Sequence, residues 1–96
     1  MQFLILLHGC RPSLLTDMTP DEGTAVGRHF AYLQKAMGDG KLFMAGRRED
    51  APYGIAVIEA ATVEKAREFL DNDPAIQKGV FKGEVHPFRL ALFPGK

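Results

Sequence analysis

Two side chains in this chain of 96 residues combine acid-base chemistry with a position that folding would fix. His29 follows Val26 and precedes Leu33 and Met37 in a segment whose apolar residues, Val26, Phe30, Leu33 and Met37, recur at spacings of four, three and four, the signature of one helical face. On a helical wheel His29 falls about 60° from Val26, at the edge of that stripe. Imidazole titrates near neutrality, so a histidine at such a margin is able to take or give a proton. Its plainer role is an amphipathic filler at a helix-sheet boundary. Asp73 lies in Asp71-Asn72-Asp73-Pro74, where an aspartate before proline is a natural N-cap. For a catalytic role its carboxylate must also reach a histidine and fix that ring's tautomer.

Other residues carry weaker chemical signals. His8-Gly9-Cys10, with His86 as a distant third ligand, matches no standard zinc spacing, and no metal is expected. Cys10 is the single cysteine, so it closes no disulfide within the chain, and a nucleophilic role needs an electropositive setting that sequence does not display. Arg47-Arg48-Glu49-Asp50 reads as a solvated charged turn, in which Arg47 is also placed to bind an anion at a pocket mouth. Phe43, Tyr53 and Phe88 are candidate lining residues for a small, partly apolar molecule held beside the sheet. His86, Phe88 and Leu90 share one face of the last strand, where ordinary interface packing is favoured over a cavity lining. There is no phosphate or cofactor loop, and no cofactor is expected.

The elements that must position these residues follow from pattern. Phe3 to Leu7 is a continuous apolar strand ended by Gly9 and Pro12, and Arg11 to Met18 reads as a loop. Thr19-Pro20-Asp21-Glu22 opens a helix, with Thr19 as cap and Glu22 completing a capping box; Gly38 and Gly40 end it. Leu42 to Gly46 and Tyr53 to Ala60 form two further strands, and Thr62 opens a second helix with buried face Val63, Ala66, Phe69 and Leu70. After a short helical turn from Asp73-Pro74 to Gly79, Phe81 to Phe93 is the last strand, and Pro87 marks it as an edge. The order β-α-β-β-α-β is a ferredoxin-like α+β arrangement: four antiparallel strands, the first and third central, with both helices on one face.

Composition narrows the partners. Twelve Lys and Arg balance twelve Asp and Glu, which removes the basic surplus that binding to nucleic acid or an anionic membrane requires. A hydrophobic fraction of 46% and a charged fraction of 25% describe an ordinary globular domain, expected to span residues 1–96. The five-residue run from Phe3 is far shorter than the roughly 20 residues of a membrane span, and no basic segment precedes it, so a cytoplasmic location is expected. Two helices cover one face of a four-stranded sheet. Because the first strand is apolar on both faces, a homodimer stacked through the open sheet face is expected.

Arg28-His29-Phe30-Ala31-Tyr32-Leu33, the Gly40-Lys41-Leu42 turn into Ala45-Gly46, Asn72-Asp73-Pro74 followed by Gly79-Val80-Phe81, and the ending Val85-His86-Pro87-Phe88 together resemble the YciI-like (YCII-related) family over nearly the whole chain. The resemblance implies a dimeric α+β barrel of two ferredoxin-like protomers, and an active site built on the histidine of the first helix and the aspartate of the Asp-Pro motif, by position His29 and Asp73. It also implies cofactor-free proton transfer, since one relative is similar to a dechlorinating enzyme acting on a hydroxylated, chlorinated ring. The segment from Arg11 to Asp21 departs from the family pattern, and Phe88 stands where many relatives place tryptophan.

Two functions fit. In the first, the chain is a small enzyme using His29 and Asp73 for acid-base work of a hydrolase or lyase kind, dehalogenation for example. In the second, it is a ligand-binding or accessory module without turnover. Contact between the two side chains, and the effect of replacing His29 on turnover, separate them.

Overall fold

The computed structural model describes residues 1–94. β1 (Gln2–Gly9) is followed by α1 (Leu14–Asp17), α2 (Pro20–Gly38), β2 (Leu42–Arg47), β3 (Tyr53–Glu59), α3 (Val63–Asp71), α4 (Pro74–Gln77) and β4 (Phe81–Phe88). The sheet order is β2-β3-β1-β4, with every neighbouring pair antiparallel. This is the α+β arrangement expected, with β1 and β3 central and Pro87 on an edge strand.

Alternation along β1 divides the sheet into two faces. Phe3, Ile5 and Leu7 are buried under the helices together with Ala56, Ile58 and Val85, while Leu4 and Leu6 are half-buried on the other face. The helix α3 seats Ala66 and Leu70 on this core. Gly83 of β4 makes room for Leu70, because a Cβ there would stand 2.7 Å from the leucine's Cδ1. A second cluster of Leu14, Ala25, Ala75 and Val80 joins α1, α2 and α4 at the end of the sheet where the chain leaves β1.

The helix starts carry the expected caps. Thr19 accepts from the Glu22 amide and the Glu22 side chain accepts from the Thr19 amide, a complete capping box; Thr62 accepts from the Lys65 amide. Such a cap contributes about 1 kcal/mol. Gly79 closes α4 at a φ of 73°, a left-handed conformation that other residues adopt only with strain.

Four expectations need correction. Arg11 to Met18 is not all loop, because it contains α1, whose Leu14 is fully buried. On α2 the fully buried residues are Ala25 and Ala36, with His29 and Tyr32 half-buried between them; of the expected stripe Val26 and Leu33 are half-buried against the core, whereas Phe30 is 62% exposed and Met37 51%. Polar His29 and Tyr32 can face inward because both find partners there, a compensation that hydropathy does not register. On α3, Val63 is exposed rather than buried. Finally, β4 ends at Phe88 instead of Phe93, because Phe88 pairs with Gln2 and β1 offers no residue beyond that point in the ladder. Leu90 therefore lies off the strand, and Phe93 turns back to lie against Phe43, ring centroids 5.4 Å apart. No helix among the described residues is long and apolar enough to cross a membrane.

Candidate active site

Asp73 is the N-cap of α4, where its Oδ1 accepts from the Ala75 amide at 2.9 Å. That bond fixes the carboxylate, and its second oxygen, Oδ2, lies 2.5 Å from Nδ1 of His29. Asp73 is the buried charged residue of the core, 3% exposed. A carboxylate buried to this degree is costly without hydrogen-bonded partners. A carboxylate only accepts, so the Nδ1 hydrogen donates to it and the neutral ring carries its lone pair on Nε2. Among the described residues Nε2 has no protein partner, yet none of their buried polar side-chain atoms is orphaned, so Nε2 is open to the space beside it. The ring is held from beneath by Phe81, edge to face at 5.2 Å.

The space beside His29 is a cavity of about 510 Å3 between α2 and the sheet. This lies in the ordinary range for small-molecule sites. Its helical wall is Val26, Phe30, Leu33 and Met37, the stripe that periodicity assigns to the core, and its sheet wall includes Leu7, Leu42, Ala45 and Gly54. Leu14, Leu15 and Met18 close one side. Of the candidate binding residues, Arg47 and Tyr53 line this cavity with His29, whereas Phe43 and Phe88 do not. Phe43 packs on Phe93, and Phe88 stands on the open sheet face at the end of β4, paired with Gln2.

Three features of the site had no sequence signal or only part of one. Arg11 donates to both carboxylate oxygens of Glu22 at 2.7 Å and, through Nε, to Asp17 at 2.9 Å. It thereby pins α1 to the start of α2 and sets the side of the cavity that the Arg11 to Asp21 segment forms. This bridge and the Thr19 amide hold the Glu22 carboxyl down at about 2. Tyr32, one helical turn from His29, donates from its hydroxyl to the Phe69 carbonyl at 2.7 Å and stacks on the Phe69 ring. Burial, with the charges of Asp73 and Glu68 adding to it, pushes the phenol up to about 12. Gln34 also lines the cavity. The capping-box pattern identified Glu22, but nothing in the spacing linked it to Arg11.

The remaining candidates lie apart. His8 and His86 both reach Glu84 on the open sheet face, at 2.9 and 3.1 Å, and hold its carboxyl below the usual range. Cys10 is exposed and contacts Arg11 and Glu22. No group of three or more His, Cys, Asp or Glu side chains among the described residues is arranged to hold a metal ion.

Comparison with known proteins bears on this arrangement. Residues 1–89 match the YCII-related domain. The 5-chloro-2-hydroxyhydroquinone dehydrochlorinase of Burkholderia phenoliruptrix, solved with 2,5-dihydroxybenzoquinone, superimposes with a TM-score of 0.74 at 23% identity, covering 95% of this chain and 96% of that one. Muconolactone isomerase superimposes with a TM-score of 0.70 at 20% identity, covering 100% and 94%. At these identities the likeness is one of fold. No curated protein matches the chain. With the match spanning residues 1–89, the chain belongs to the YCII-related domain family.

Proposed function

We propose that this protein is a small enzyme in which His29 moves a proton within a ring-sized cavity and Asp73 holds the imidazole in the tautomer that work needs. The observation carrying the reading is the contact of 2.5 Å between His29 Nδ1 and Asp73 Oδ2, with Asp73 already fixed on the Ala75 amide. Nε2 takes a proton from an activated O–H or C–H of the bound molecule, and the imidazolium that forms is stabilised by the carboxylate behind it. The same proton is then returned to another atom of the substrate, or leaves with a group such as chloride. These steps need only side chains already in the site. The two structural neighbours are, by name, a dehydrochlorinase of a chlorinated hydroxyhydroquinone and an isomerase of a lactone, which supports a small cyclic molecule as the substrate.

The active form is a homodimer stacked through the open sheet face. Met44, Ile55 and Phe88, all large and 39 to 44% exposed, lie on that face. A sedimentation-equilibrium run showing a monomer at micromolar concentration would remove this part.

The test is turnover of a panel of hydroxylated, halogenated aromatic rings and small lactones by wild type and His29→Gln. A positioned acid-base group contributes roughly 100- to 10,000-fold, so a loss of that size at the histidine is expected. Equal turnover by the two proteins would end the enzymatic reading. A panel that binds in the cavity without reacting would favour a ligand-binding module.

A further inference from the structure

Arg47 is the only permanently charged side chain among the described residues that line the cavity, and no Asp or Glu among them does so. Its neighbour Arg48 is clamped by Asp50 through two bonds of 2.8 and 2.9 Å. Arg47 has no such partner among the described residues; Nη1 donates to the Arg48 carbonyl at 2.8 Å, and the rest of the guanidinium is uncommitted. Strand register places this charge. Arg47, Gly54, Leu7 and Gly83 are paired in one row across the four strands, so Arg47 shares the helix-facing side of the sheet with Leu7. Neighbouring strands lie about 4.8 Å apart, which sets Arg47 and Gly83 about 14 Å apart at the backbone. His29 rests on Phe81, two residues from Gly83 in β4, so the imidazole lies at the β4 end of this row and Arg47 starts from its β2 end, and both side chains line the cavity. Between them the floor is Leu7 and side-chain-free Gly54, and the wall above is the apolar stripe of α2.

From this we infer that the site selects a single-ring molecule bearing a carboxylate, which Arg47 binds at the β2 edge while the ring lies on the apolar floor toward His29. This assignment rests on the cavity being the substrate site and adds the class of molecule it takes. A planar guanidinium pairs with a carboxylate through parallel N–H···O bonds, whereas a neutral amide of the same shape gains much less. A dry apolar wall strengthens that difference.

Benzoate and benzamide, the same ring with and without the charge, provide the test. Their affinities are measured by titration of the 15N-labelled protein, following the amide signals of Gly46 and Gly54. Wild type is expected to bind benzoate roughly tenfold more tightly than benzamide. In Arg47→Gln the two should become equal within about twofold, and Arg47→Lys, which keeps the charge, should retain a preference for benzoate. Equal binding of both probes by wild type would overturn the inference. So would a preference that survives in Arg47→Gln, loss of the preference in Arg47→Lys, or shift changes that bypass Gly46 and Gly54. Failure of the acid-base reading shows separately, as full turnover by His29→Gln with the benzoate preference intact.

Discussion

Asp73 serves two masters with its two oxygens: Oδ1 starts the helix α4 by accepting from the Ala75 amide, and Oδ2 takes the Nδ1 hydrogen of His29. The helix start therefore fixes the carboxylate, and the carboxylate fixes the imidazole. Substitutions divide these duties. Asp73→Asn keeps an oxygen for Ala75 but no longer offers His29 a charged acceptor, so stability should fall by only about 1 kcal/mol while turnover falls about 100-fold or more. Asp73→Ala removes both bonds from a buried site and should cost about 2–4 kcal/mol. Urea unfolding beside steady-state kinetics separates the two variants.

The wall of the cavity should behave unlike a core. Phe30 and Met37 line the cavity and are 62% and 51% exposed. Phe30→Ser and Met37→Ser should change stability within about 0.5 kcal/mol, as surface substitutions do. Both should weaken benzoate binding severalfold by removing apolar surface from the site. Thermal melts and the titration described for Arg47 check the pair of effects.

Acid should loosen the segment before α2. Arg11, and then the Thr19 amide, hold Glu22 at about 2, below the roughly 4.3 of a free glutamate. A depressed carboxylate contributes stability that is complete above the unfolded value and is lost as pH falls through the folded one. Stability should therefore decline between about pH 4 and 2. Glu22→Gln, which keeps the reach of the capping box without the charge, should be less stable at neutral pH and flatter across that window. Urea midpoints at several pH values give the comparison.

At the alkaline end Tyr32, one of the chain's two tyrosines, should titrate late. Its phenol stands at about 12, above the ordinary value near 10, because burial penalises the anion. A raised acid contributes stability that is complete below the unfolded value and is lost as pH rises through the folded one, so the loss falls between about pH 10 and 12. Absorbance at 295 nm should show a late phenolate in wild type that is missing in Tyr32→Phe. That variant also leaves the Phe69 carbonyl without its donor and should lose about 1–2 kcal/mol.

Much of the scaffold was legible because it rests on short-range chemistry. The capping box at Thr19, the Asp-Pro start of α4, the Gly79 turn and the placement of Pro87 at an edge each follow from a few neighbouring residues. Candidate site residues were legible by type, since His29 and Asp73 stood out as a titratable ring at a helix margin and an acid at a cap. Their separation of 44 positions hid the contact itself from spacing. The facing of α2 held for Val26 and Leu33 and misled at Phe30 and Met37, because an apolar stripe is compatible with a core and with a cavity wall. The choice was made by polar partners on other elements, Asp73 for His29 and the Phe69 carbonyl for Tyr32. Arg11 escaped notice for the same reason: its partners are defined by the fold of the segment it organises. Phe43 and Phe88 were aromatic residues of the right kind on strands, but Phe43 falls at the irregularity between Leu42 and Met44 and Phe88 is paired with Gln2 at the end of β4, both outside the cavity.

The central claim is that Asp73 keeps the His29 proton on Nδ1 and leaves Nε2 bare toward the cavity. Long-range 1H–15N spectra of the imidazoles, recorded above the pH at which the ring titrates, read that arrangement directly. Wild type should show an Nδ1–H tautomer for His29, and Asp73→Asn should lose it. An Nε2–H tautomer in wild type, or an Nδ1–H signal unchanged by Asp73→Asn, would contradict it.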